Sequence, residues 1–138
     1  MSLDLIVKNL PALFAAILVA ILFIQSGLDK VFDWKGNLDW LTGHFSKTFL
    51  APMVPMMLAT ITVMELATGV LTAVGIIYFL VANSLFIIFI GSVFGAASLT
   101  ALFFGQRVAK DYAGAAVLIP YFILLVLLMY LTSRNFTL

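Results

Sequence analysis

The chain contains no cysteine and a single histidine, His44. Without a thiol there is no disulfide, no thiolate nucleophile, no iron–sulfur cluster and no metal site built from Cys and His within the chain. One imidazole leaves haem without a second histidine ligand, so a solvated or lipid-facing His44 is the favoured reading. Charge is equally scarce, at 9% of residues, against roughly 25% in soluble domains. A net charge of +1 with no basic cluster leaves no electrostatic footprint for nucleic acid. No nucleophile–base pair or metal constellation can be assembled from this inventory, so stand-alone catalysis has the weakest support.

What fills the chain instead is apolar. Hydrophobic residues make up 64% of it and the mean hydropathy is +1.23, which defines an all-α integral membrane protein. A hydrocarbon core of about 30 Å takes roughly 20 helical residues per crossing. The 138 residues therefore hold four crossings and little else. We expect one integral membrane domain over residues 1–138, a four-transmembrane-helix bundle with crossings near 10–28, 55–76, 82–104 and 112–131. The first crossing reads as a retained helix, because polar Gln25-Ser26-Gly27-Leu28-Asp29-Lys30 follows it where a signal peptide would carry a small-residue cleavage pattern. Gly75 and Asn83 bracket the expected turn between the second and third crossings. Pro120 marks an expected kink in the fourth.

The only polar stretch of any length lies between the first two crossings. Within it Trp34, Leu38, Leu41, Phe45 and Phe49 recur at steps of four, three, four and four, one face of a helix. Residues 33–50 are thus expected to form an amphipathic segment lying along the membrane interface, with Trp34 and Trp40 in the aromatic belt and a break near Gly43. Four crossings put Lys8 and Arg134 on one side of the membrane, and Lys30, Lys35, Lys47, Arg107 and Lys110 on the other. The positive-inside rule then places the loops in the cytoplasm and the termini outside.

Between Lys47 and Arg107 the only charged residue is Glu65. Thr62, Glu65, Gly69 and Thr72 follow at steps of three, four and three, a small and polar stripe that should face protein. A carboxyl group in a low-dielectric bundle is driven towards its neutral form unless a cation is close. It then suits a proton relay or a hydrogen bond to the head group of a small lipid-soluble ligand such as a quinone. The alternative is that Glu65 ties helices together through Thr, Asn or Gln. Gln25, across the bundle, and Asn83 are its expected partners, so Glu65, Gln25, Thr62 and Asn83 form the candidate ligand site.

A polar boundary cluster of Asp29, Lys30, Arg107 and Asp111 completes the inventory. Gln25, Ser26, Asp29 and Lys30 close the first helix, either as a helix end whose lysine snorkels to head groups or as the mouth of a site shared with Glu65. Asp111 reads as an N-cap of the fourth helix. Arg107 reads as a snorkelling anchor for lipid phosphate or a partner's carboxylate. Gly91 and Gly95, with Ser84 and Ser98 on nearly the same face, should let another helix of the bundle approach closely.

Ser26-Gly27-Leu28-Asp29-Lys30, Glu65 followed by Gly69, and Arg107 to Gly114 together resemble the DoxX family of small four-helix bacterial membrane proteins, over about Leu13 to Tyr130. The resemblance implies a four-helix bundle in the bacterial cytoplasmic (inner) membrane. It also implies an association, in some members, with thiosulfate:quinone oxidoreductase or other membrane redox systems. Carried over by position, its motifs are Gly27 to Lys30, Glu65, and Arg107 to Asp111. Two functions are expected from it. One is a membrane subunit or anchor of a quinone-linked redox module. The other is a scaffold, assembly chaperone or cargo-binding protein that engages a partner protein or a second copy of itself through Trp34, Trp40 and its lipid-facing helices. The amphipathic first loop departs from a simple family connector, which brings the partner-binding role into play.

Overall fold

In the computed structural model, which describes residues 2–134, every regular element is helical: α1 (Leu3–Lys8), α2 (Leu10–Phe32), α3 (Trp34–His44), α4 (Val54–Ala82), α5 (Phe86–Val108) and α6 (Tyr112–Ser133), with a short 3-10 turn at Ala51–Met53. Four of them, α2, α4, α5 and α6, are long and apolar enough to cross a membrane. The crossing expected at 10–28 continues to Phe32, and the one expected at 112–131 ends at Ser133.

The expected turn between the second and third crossings is shorter than the sequence suggested. α4 runs six residues past the expected Ile76, and only residues 83–85 separate it from α5. Asn83 ends α4 in the left-handed region at φ 53°, which its short polar side chain tolerates. Gly75 takes no part in the turn. It lies within α4 where a Cβ would meet the Ile88 backbone N at 2.7 Å, so glycine serves helix approach here and not chain reversal.

α4 packs between α2 and α5, and α6 lies along α5 with lighter contact to α2. Ala16, Val19 and Phe23 of α2, Phe79 of α4, Ile88 and Leu99 of α5, and Leu125 and Leu128 of α6 make the core. Outward faces stay apolar, with Val63, Ile77, Val81, Phe104 and Ile123 all exposed. Such a surface is tolerable only in lipid.

The four antiparallel crossings bring α3 and the α5–α6 turn to one end of the bundle, and α1, the end of α6 and residues 83–85 to the other. At the α3 end the chain bends at Asp33, where Asn37 Nδ2 donates to the Asp33 carbonyl at 2.8 Å. The stretch expected as one amphipathic segment over 33–50 is an 11-residue helix ending at His44, followed by turns. Its expected single face is divided: Leu38, Leu41 and Phe45 turn inward onto Leu50, Val54 and Val108, while Trp34 and Phe49 stay exposed.

The α5–α6 connection is equally tight. Asp111 N donates to Gln106 O at 2.9 Å and Lys110 N to Arg107 O at 3.1 Å, a Schellman closure with Lys110 in the left-handed region at φ 60°. Asp111 then caps α6 as expected, its Oδ1 accepting from Gly114 N at 2.9 Å.

Candidate functional site

The site is built where α2 and α4 touch most closely. A Cβ on Gly69 would lie 2.8 Å from the Ile24 backbone N, so only glycine lets the two helices meet there. Gly27 lies against Leu66 in the same seam. The expected stripe on α4 is buried throughout: Thr62, Glu65, Gly69 and Thr72 all face protein. Glu65 is 3% exposed.

Beside it stands Lys30. The Lys30 Nζ lies 2.8 Å from Glu65 Oε1, with the lysine side chain 20% exposed. The ammonium also donates to Ser26 Oγ at 2.9 Å and reaches Ser26 O at 3.4 Å. Lys30 therefore does not snorkel outward to head groups. The reason lies in register: Phe23, Gly27 and Lys30 recur at steps of four and three, so Lys30 continues the stripe of α2 that Phe23 and Gly27 bury. That spacing was the signal available in the sequence.

Glu65 Oε1 is ion-paired with the Lys30 ammonium at 2.8 Å and has no further hydrogen-bond partner among the described residues. A second buried polar atom, Ser98 Oγ, is without a hydrogen-bond partner. Gly95 faces Thr68 across the α4–α5 contact. In an antiparallel pair, one turn further along each helix puts Ser98 level with Glu65. The interior thus holds a cation, a carboxylate and a hydroxyl with unused hydrogen-bonding capacity.

The expected partners of Glu65 are elsewhere. Asn83 caps the far end of α4, 18 residues from Glu65, about 27 Å along the helix. Gln25 is exposed on the outer side of α2, where it lines a groove that does not include Glu65. Thr62 donates its hydroxyl hydrogen to Leu58 O at 2.7 Å and has none left for the carboxylate. Thr72 is similarly bonded back to Thr68 O at 2.8 Å. Threonine in these helices satisfies its own backbone in preference to a neighbouring helix.

At the end of the bundle, His44 is neither solvated nor lipid-facing. Its Nε2 is 2.8 Å from Gln106 Oε1 and 3.9 Å from Asp111 Oδ2, and its ring stacks on Trp40 with centroids 4.4 Å apart. This cluster pins the tip of α3 onto the α5–α6 turn. Arg107 lies over the Tyr112 ring, 4.4 Å from its centroid, and Asp29 is exposed on α2. The boundary cluster therefore divides: Lys30 belongs to Glu65, Asp111 to His44 and α6, and Asp29 to the outer groove. Among the described residues, no three His, Cys, Asp or Glu side chains gather as a metal site.

Fold and site together define a multi-pass helical membrane protein whose first two crossings join through a Lys–Glu pair with a buried carboxylate. The DoxX family model matches residues 12–98, and the chain belongs to the DoxX family. The matched stretch takes in Gly27, Lys30, Glu65, Gly69 and Ser98, whereas the Arg107 to Asp111 turn lies beyond it. No curated protein and no solved structure matches the chain.

Proposed function

We propose that this protein is a membrane subunit or anchor of a quinone-linked redox module in the bacterial cytoplasmic membrane, with Lys30, Glu65 and Ser98 receiving the quinone head group. One observation carries the reading: the buried Ser98 Oγ has no hydrogen-bond partner, and the buried Glu65 Oε1 has none beyond its ion pair with the partly exposed Lys30. Unmet polar groups in a low-dielectric interior are costly, and a ligand that satisfies them recovers that cost. A quinone carbonyl accepts from the Lys30 ammonium or the Ser98 hydroxyl. A quinol hydroxyl donates to Glu65 Oε1. Gln25, on the outer face of α2, is not part of this site.

The test is purification of the full chain in mild detergent, lipid extraction and quantitation of bound quinone. Near-stoichiometric quinone, lost in Glu65→Gln and Ser98→Ala, is expected. A wild-type protein free of quinone, or bound quinone insensitive to both changes, overturns the proposal.

A second reading, a scaffold or assembly protein, draws on the exposed aromatics Phe32, Trp34, Trp40 and Phe49 around the α3 end. Crosslinking would then return one consistent protein partner, lost on changing Trp34 and Trp40 and retained in Glu65→Gln.

A further inference from the structure

A groove of about 710 Å³ runs along the outer side of α2, where that helix meets α4. Ile17, Ile21, Ile24 and Leu28 of α2 and Ala73 of α4 line most of it, and Gln25 and Asp29 stand at the end nearest α3. Both polar side chains are exposed on a membrane-spanning helix. Neither makes a hydrogen bond or ion pair through its side chain with any described residue. Lys30, the nearest cation in sequence, is turned away into the bundle towards Glu65. The groove therefore offers an uncompensated carboxylate at one end, an amide about 6 Å deeper, and then only hydrocarbon.

That order suits an amine-headed diacyl phospholipid lying along the protein, whose ammonium is outermost, followed inward by the phosphate, the ester carbonyls and the acyl chains: the carboxylate meets the cationic end, and the amide can donate to the oxygens beneath it. We propose that this groove is a binding site for such a lipid, with Asp29 pairing the ammonium, Gln25 donating its amide hydrogens to the phosphate or ester oxygens beneath it, and an acyl chain filling the channel from Leu28 to Ile17. An anionic head group is disfavoured by the same carboxylate. The site is separated from the Lys30–Glu65 pair by α2 itself and stands or falls independently of the quinone reading.

The full chain is reconstituted in nanodiscs of phosphatidylethanolamine and phosphatidylglycerol in equal amounts, and the lipids it retains on release are counted by native mass spectrometry. Phosphatidylethanolamine is expected to be retained about three- to fivefold over phosphatidylglycerol, the size of effect one partly exposed ion pair supplies. Asp29→Asn should abolish the preference while leaving the number of retained lipids unchanged. Ile21→Trp should fill the groove and lose the retained lipid whatever its head group. Both changes lie on the outer surface of α2, and an unchanged melting profile in detergent verifies that the bundle is intact. Equal retention of the two lipids by the wild-type chain, or a preference that survives Asp29→Asn, overturns the proposal.

Discussion

Removing one partner of a buried ion pair is more damaging than removing both, because the remaining charge keeps its desolvation cost and loses its compensation. Lys30→Met is therefore expected to destabilise the bundle by about 3 kcal/mol, the low end for breaking such a pair because the lysine is partly exposed. Adding Glu65→Gln should restore more than half of that loss. Unfolding by SDS titration in mixed micelles measures both, and strictly additive single-variant effects would show that the pair is not coupled. Glu65 was legible in the sequence as a lone charge in an apolar run, and its stripe of Thr62, Gly69 and Thr72 was legible from spacing. Its partner was legible only in part: the spacing of Phe23, Gly27 and Lys30 places Lys30 on the inner stripe of α2 and Gln25 off it, while the packing of α2 on α4 decides that this stripe meets Glu65.

Among the elements, the contact between α2 and α4 depends on backbone proximity at Gly69. Gly69→Ala would put a methyl group against the Ile24 backbone, where no side-chain rearrangement relieves it, and a loss of about 1–3 kcal/mol is expected. The same substitution at Gly43, which has open space around it, provides the control and should be close to neutral. Thermal unfolding in detergent compares the two. Asp111→Ala removes the α6 cap and the carboxylate facing His44. It should cost about 1 kcal/mol by capping alone, and it should increase hydrogen exchange in α3 as well as at the start of α6; exchange confined to α6 would show that His44 does not hold α3. The four long helices were legible because apolar runs of sufficient length have no other stable state in lipid. The division of residues 33–50 into a helix and a set of turns was not, because the inner face of α3 is chosen by Phe45 meeting Leu50 and Val54 and by His44 meeting Gln106.

Across the whole molecule, the unequal distribution of basic residues between the two ends sets the expected orientation, with α3 and the α5–α6 turn in the cytoplasm. The chain has no native cysteine, so single-cysteine variants report topology without background. Lys35→Cys should be protected from a membrane-impermeant maleimide in intact spheroplasts, and Asn83→Cys should be labelled; the reverse pattern would invert the topology. Composition and periodicity alone determined that the protein lies in the membrane, that it crosses four times, and that Glu65 faces protein. Each follows from the energetics of apolar and charged groups in lipid, which depend on residue type and helical spacing. The tertiary structure decided that Lys30 compensates Glu65, that Ser98 is left unpartnered at the same level, and that Gln25 and Asp29 are exposed on the outer side of α2. Those outcomes rest on distances between helices far apart in sequence, set where glycines allow one backbone to approach another.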